Sequence, residues 1–335
     1  MAYRKPNDKL VSGYFMSDNF LCFTDDYSQS GFVFSPFDTN KKGILFPLEK
    51  SSIEREQIEI NEIQNYKIEE QQDLTAQESH IQIVEKAIKA INESDLQKIV
   101  ISRKEVLNLS TFDLISIFKN LLFSYTSAFV YVWYHPKIGL WFGATPETLL
   151  KVNENIFKTM SLAGTQEFVN QEKVVWKNKE LVEQQLVTTF IEHQLQPIAE
   201  GLEIDKTETI RAGDLLHLRT KVEGVLNKEA NLKALIKALH PTPAVCGLPR
   251  EKAKKFIVTN ELYDRSYYTG FLGELNIKDT ESDFKKTELF VNLRCMSVEN
   301  DIANVYVGGG ITKDSDAKKE WLETVSKSKT MKKVL

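Results

Sequence analysis

The chain has 335 residues, 42% hydrophobic and 27% charged, which is ordinary globular usage and excludes a disordered chain as the default. Its 43 basic and 47 acidic residues give a formal net charge of −4 with no long Lys/Arg stripe. Nucleic-acid binding is therefore disfavoured, while capture of a small anion by a few local cations stays open. Cys22, Cys246 and Cys295 are far apart and odd in number, so neither a disulfide framework nor a zinc site is expected. The opening MAYRKPNDKLVSGYF lacks a signal-peptide core, and no run of about 18 apolar residues occurs. A cytoplasmic protein with no membrane association is the expectation.

The first 65 or so residues read as short strands and turns, in LVSGYF, FLCFTDD and GFVFSPFD. KIEEQQDLTAQ (67–77) is a polar surface connection. It leads into a helix from Glu78 to Asn92, with Ile81, Ile83, Val84, Ala87, Ile88 and Ile91 as its apolar stripe. KIVISRKEVLNL (98–109) is strand-like and LISIFKNLLFSY (114–125) helical. SAFVYVWYH (127–135) and LWFGATPETLLKV (140–152) are predicted neighbouring strands joined at Pro136–Gly139, and NIFKTMSLAGTQ (155–166) is a strand running into a Gly turn. Asn178 to about Glu200 is a predicted long helix. TELFVNLRCMSVEN (287–300) and IANVYVGGGIT (302–312) are predicted to form a hairpin turning at Glu299–Asp301, and Asp316 to Lys332 closes the chain as a helix. No nucleotide-binding glycine fingerprint, internal repeat or low-complexity segment is found, and a mixed antiparallel α+β domain is the simplest architecture.

Several residues admit a chemical and a structural reading. Glu180 with Glu183, and Glu320 with Glu323, sit three apart on predicted helices, so each pair shares a face. Read alone, such a pair is a solvated face; two pairs facing one cavity would offer a hard cation such as Mg²⁺ an oxygen-rich site. Lys98 opens a β-branched strand, where it is either a desolvated base or an edge lysine reaching solvent. Glu147 follows a Gly and a Pro, as a buried general acid or a loop carboxylate in water. Arg294 lies in FVNLRCM, where it needs an anion, either a substrate carboxylate or an internal partner. Gly308, Gly309 and Gly310 are either an anion-binding nest or a bulge. His217 and His240 lack metal-ligand spacing.

Taken together and in order, KIVISR (98–103), FGATPETLL (142–150), LAGTQ (162–166), KELVEQQLV (179–187), LHLRTKVEG (216–224), HPTPAVCGLP (240–249), DRSYYTGFLGE (264–274), LFVNLRC (289–295) and GGGITKDSDAKKEWLET (308–324) resemble the chorismate-utilising enzymes. That family includes isochorismate, salicylate, anthranilate and aminodeoxychorismate synthases. The resemblance covers about 95 to 335 and implies an α+β fold. The expected architecture is one large anthranilate-synthase-type domain over 1–335, with two mainly antiparallel sheets packed together and flanked by helices. It would comprise a shortened N-terminal part (1–75) and a catalytic core (76–335).

Three features select within the family. Lys98 stands where the isochorismate and salicylate synthases carry a lysine base and the amine-adding enzymes typically carry Gln. Ala163 stands where aminodeoxychorismate synthases place a nucleophilic lysine. HPTPAVCG resembles the isochorismate synthase version of its segment. The resemblance thus implies a Mg²⁺-dependent isomerisation of chorismate to isochorismate, feeding menaquinone, a siderophore or salicylate. Water activated by Lys98 would attack C2 while protonated Glu147 assists loss of the C4 hydroxyl. Glu183 and Glu323 are implied as direct Mg²⁺ ligands, and Glu180 and Glu320 as ligands through water. Tyr268, Arg294, Gly308, Gly309, Gly310 and Lys327 resemble residues that bind the enolpyruvyl carboxylate, and His217 and Thr165 resemble residues lining the ring. Gln166 departs from the family's usual Arg, and Leu181, Val182 and Gln184 from its more polar helix residues. A monomer is expected. The alternative activity is that of a salicylate synthase, which adds pyruvate elimination to the same first step.

Overall fold

Nineteen strands and six helices are present among the described residues of the computed structural model, which are 1–59, 73–168, 174–212, 215–278 and 284–335. The chain begins with β1 (Ala2–Arg4), β2 (Leu10–Met16), β3 (Cys22–Thr24), β4 (Gly31–Ser35), β5 (Gly43–Pro47) and β6 (Ser51–Gln57). Next come α1 (Leu74–Asn92), β7 (Lys98–Asn108), α2 (Leu114–Ser124), β8 (Phe129–His135), β9 (Gly139–Thr145), β10 (Thr148–Asn153), β11 (Ile156–Glu167) and α3 (Asn178–Leu195). They are followed by β12 (Ala199–Ile204), β13 (Glu208–Ala212), β14 (Leu215–Leu226), α4 (Leu232–Leu239), β15 (Gly247–Leu248) and α5 (Arg250–Asn260). The last are β16 (Phe271–Lys278), β17 (Lys285–Val291), β18 (Cys295–Glu299), β19 (Ile302–Ile311) and α6 (Ala317–Lys332).

The strands form two antiparallel sheets. One runs β15-β7-β19-β18-β9-β8-β1-β2-β6, the other β12-β14-β11-β10-β17-β16-β4-β5-β3, with β13 pairing β14. Period-2 alternation assigns each residue to a layer. In β8, Phe129, Tyr131 and Trp133 enter an aromatic core between the sheets, where they meet Phe34, Phe46 and Phe290 of the other sheet. Val130 and Val132 point the other way, into a layer shared with α2 and the end of the chain. The second sheet's outer face is covered by α3 and α4, through Val187, Ile191, Leu195, Leu235 and Leu239. Val84 and Ala87 of α1 and Ala253 and Ile257 of α5 pack on Ile99 and Ile101 of β7. This is the α+β, two-sheet architecture expected.

Two segments read as single strands are each split between the sheets. LWFGATPETLLKV breaks at Pro146–Glu147, with β9 in one sheet and β10 in the other. TELFVNLRCMSVEN breaks at Asn292–Arg294, where β17 hands over to β18. Period and composition are alike on both sides of each break, so the change of sheet leaves no hydrophobic signal. The hairpin is β18–β19, turning at Asn300 and Asp301, both with positive φ. The first helix begins at Leu74, because the Asp73 carboxylate accepts from Ala76 N–H at 2.9 Å. The part of the expected surface connection at 67–72 lies outside the described residues. Helix α3 stops at Leu195, short of the expected Glu200. No helix among the described residues is long and apolar enough to cross a membrane.

Candidate active site

The two places where the chain changes sheet lie side by side. Ala144 N–H donates to Arg294 O and Val291 N–H to Glu147 O, each at 3.0 Å. Asn292 is fully buried and braces the corner: its amide oxygen accepts from Tyr131 O–H at 2.6 Å, and its amide nitrogen donates to Tyr267 O at 2.9 Å. Glu147 is thereby held inside the protein at 3% exposure. Burial raises its carboxyl to about 8, although the Lys98 and Arg294 cations pull the other way. Arg294 sits at the bend with φ 46°, not in mid-strand as its apolar neighbours suggested. Its half-buried guanidinium makes no hydrogen bond or ion pair among the described residues. Burial lowers its pKa, against the pull of Tyr268, Glu323, Tyr125 and Glu147.

Lys98 is the first residue of β7 and fully buried. Its Nζ lies 2.8 Å from Glu183 Oε1, an ion pair whose angle falls short of a hydrogen bond. Gly308–Gly310 pass directly beside it. They are not a turn or a nest, because all three are extended residues of β19, paired with Ser102, Ile101 and Val100 of β7. What requires glycine is the crowding of other side chains. A Cβ on Gly310 would lie 2.6 Å from Glu183 Oε1 and 2.8 Å from Lys98 Cε. On Gly309 it would lie 3.4 Å from Glu320 Oε2 and 3.8 Å from Glu323 Oε1, and on Gly308 3.0 Å from Tyr268 Oη. The glycine strand is therefore the floor on which Lys98, the carboxylates and Tyr268 meet.

The carboxylates arrive on two helices that reverse the usual polarity. Helix α3 exposes Leu181 and Val182 at 47% each and turns Glu180 and Glu183 inward. Helix α6 exposes Leu322 at 62% and buries Glu320 at 1%. A helix that gives leucine to water and glutamate to the interior is not placed by hydrophobic burial alone. Asp316 caps α6 by accepting from Lys319 N–H at 2.9 Å, which sets the helix start. Lys179 Nζ meets Glu320 Oε1 at 2.5 Å, and Lys327 Nζ meets Glu323 Oε1 at 2.6 Å and donates to Gly308 O at 3.0 Å. Burial and the neighbouring Glu323 hold Glu320 above the usual carboxylate range, with Lys179 opposing. For Glu323 burial is outweighed by Lys327, Lys179 and Arg294, and its pKa falls.

Thr165 and His217 are paired across β11 and β14, beside a bulge where Gly164 takes φ +71°. Glu180 packs there, and a Cβ on Gly164 would lie 3.1 Å from Glu180 Cβ. His217 Nδ1–H donates to Gly164 O at 3.1 Å, with Thr165 Oγ1 3.3 Å away, and Nε2 is buried without a partner. Burial, then Arg294 and Lys327, lower its pKa to about 3, so the ring is neutral. Tyr268 is 2% exposed, and burial raises its pKa. Two cavities open beside this group. One of about 570 Å³ reaches Arg294 and Pro146; another of about 480 Å³ reaches Thr165, Glu323 and Lys327.

Buried Oε2 atoms of Glu180 and Glu320 have no hydrogen-bond partner. Orphaned carboxylate oxygens are costly, and an all-oxygen donor set fits a hard cation such as Mg²⁺ in its chemistry. In the arrangement seen here Glu183, Glu320 and Glu323 are each paired with a lysine. Among the described residues no three acidic, histidine or cysteine groups converge at coordination distance.

The sequence alone does not single out Lys179 or Arg103. Lys179 adjoins Glu180 in KELVEQQLV, but nothing local reveals that its partner is Glu320, far along the chain. Arg103 ends KIVISR; its Nε donates to Thr324 Oγ1 at 2.8 Å and its guanidinium lies 4.3 Å from the Trp321 ring centre, fixing α6 against β7.

A family model described as "Chorismate binding enzyme" matches residues 40–335. The chain belongs to the chorismate-binding enzymes. Among curated members, it is 27% identical over 267 residues to isochorismate synthase MenF of Escherichia coli, covering 76% of this chain and 59% of that one. This chorismate-binding chain therefore spans little more than half the length of that relative. Among solved structures, a putative 2,3-dihydroxybenzoate-specific isochorismate synthase, DhbC from Bacillus anthracis, matches at TM-score 0.81 and 25% identity, over 99% of this chain and 95% of that one. Anthranilate synthase component I from Streptococcus pneumoniae shares the fold at TM-score 0.75 and 20% identity, over 96% and 92% of the two chains.

Proposed function

We propose that this chorismate-binding enzyme is an isochorismate synthase, converting chorismate to isochorismate by adding water at C2 as the C4 hydroxyl departs. The observation that carries the reading is the buried pair of opposite character. Lys98 is fully buried, and Glu147 is buried with its carboxyl raised to about 8, so it keeps a proton at neutral pH. A double displacement needs a base for the incoming water and an acid for the leaving hydroxyl. Lys98, in its unprotonated form, takes the water's proton, and Glu147 delivers its own to the leaving oxygen. Each transfer is typically worth ~10²–10⁴-fold in rate.

The remaining residues bind and orient. Arg294, whose guanidinium is uncommitted, presents a fork for a carboxylate; Tyr268 and Lys327 stand beside it over the glycine strand. Neutral His217 offers Nε2 to the ring and Thr165 lines the same side. Glu183 and Glu323 are the residues that would hold Mg²⁺ directly, with Glu180 and Glu320 behind them. Bound there, Mg²⁺ would supply neutralisation of the substrate's ring carboxylate. The relatives' printed names, isochorismate synthases, support the water-adding reaction. The reading also takes the chain as a cytoplasmic monomer with three free cysteines.

The test is product identification from the full chain with chorismate and Mg²⁺, with and without ammonium. Isochorismate in both cases is expected. Salicylate together with pyruvate, in the absence of any lyase partner, would show a salicylate synthase instead.

A further inference from the structure

The two cavities share Leu215, Ser326 and Lys329. Lys329 therefore stands at their junction, the larger space leading to Arg294 and the smaller to Glu323 and Lys327. Its position follows from helix geometry. Leu322, Ser326 and Lys329 of α6 and Lys333 at its C-cap fall at i, i+4, i+7 and i+11, a single stripe, and every member lines one cavity or both.

Lys329 differs from the cations deeper in. Lys98, Lys179 and Lys327 are each paired with a glutamate, and Lys332 is paired with Glu105. Lys329 is exposed, and its side chain forms no hydrogen bond or ion pair among the described residues. After Glu323 the chain carries four lysines, at 327, 329, 332 and 333, and no further acidic residue, within a chain of net charge −4. The unpaired Lys329 ammonium thus places positive charge at the mouth of a molecule that is negative overall. An unpaired cation at a cleft mouth raises the local concentration of an anion there.

We propose that Lys329 is an outer capture site for a small dicarboxylate, met before the anion reaches Arg294 and Lys327. The site rests on the reading above that the substrate is chorismate, which carries two carboxylates. Lys329 takes no part in bond making; its effect is electrostatic, so it is screened by salt over a Debye length of about 10 Å at 0.1 M.

The experiment compares the full chain with Lys329→Gln, Lys329→Glu and Lys329→Arg. It measures kcat/KM for chorismate at saturating Mg²⁺, from low to high ionic strength. Lys329 is exposed, so melting temperatures close to that of the parent confirm that the variants fold. The expected result is a loss of about tenfold for the Glu variant at low salt, carried by KM, with a shallower salt dependence. The gap closes at high salt, the Gln variant falls between, and Arg restores the parent's behaviour. A charge reversal that leaves both kcat/KM and its salt dependence unchanged overturns the proposal while leaving the function intact. So does a loss that salt does not screen and Arg does not restore. A parent chain that does not turn over chorismate at all sinks the function and the capture site with it.

Discussion

A carboxyl keeps its proton at neutral pH only if water is kept from it and no cation approaches closely enough to compensate. At Glu147 the change of sheet supplies that burial, and burial outweighs the pull of the Lys98 and Arg294 cations. Activity should therefore fall as pH rises through about 8, as the acid is lost. Glu147→Gln should lower kcat by ~10²–10⁴-fold in a product assay while leaving the fold intact. Stability carries the same signature. An unfolded glutamate titrates near 4.5 and the folded one near 8. Glu147 thus contributes stability that is fully present below the lower value and lost as pH rises through the higher one. The melting temperature of the parent should fall relative to Glu147→Gln between pH 5 and 9, and a constant difference would contradict the raised pKa. The sequence named Glu147 and Lys98 only through their neighbours in ordered motifs. Burial, which keeps the Glu147 carboxyl protonated at neutral pH, depends on Asn292 and Arg294, whose closeness to Glu147 no local pattern shows.

At the scale of elements, the heart of the site is two strands and two helices meeting at three glycines. The sequence showed the helix pairs at the right spacing and the glycine run, but left the glycines as either a nest or a bulge. The structure gives them a different reason: side chains from α3, α6 and β7 need the space above an extended strand. Gly310→Ala should then act through crowding. The added methyl meets Glu183 Oε1 and Lys98 Cε, both ends of side chains, so those groups must move. Overpacking of this kind costs about 1–3 kcal/mol, and near-attack geometry tolerates little displacement. A small drop in melting temperature with a loss of turnover of about a hundredfold or more is expected. An alanine variant of full activity would mean that the Lys98–Glu183 contact is not the working one. Helix α6 depends on a comparable lock, Arg103 on Thr324, that the sequence could not pair because the two lie on separate elements.

Over the whole molecule, the first 57 residues were the least legible and turn out to complete both sheets. β1, β2 and β6 extend one sheet, and β3, β4 and β5 the other. Their partners are remote: Ala2 pairs with Val132, and Phe271 with Ser35. Short strands whose registers are set so far along the chain have no local signature. Arg4 shows how they bind the molecule together. Its guanidinium donates to Leu122 O at 2.6 Å and Tyr125 O at 2.8 Å, the carbonyls at the end of α2. Arg4→Ala should leave two carbonyls unsatisfied and cost about 2–3 kcal/mol, read as a lower urea midpoint with an unchanged slope. The proposed chemistry turns on Lys98 making solvent water the nucleophile. A brief incubation of the full chain with chorismate and Mg²⁺ in oxygen-18 water, followed by mass spectrometry of the product, tests it directly. The expected product is isochorismate carrying one heavy oxygen at its C2 hydroxyl, with none formed by Lys98→Gln. Unlabelled isochorismate, or full turnover by that variant, would contradict it.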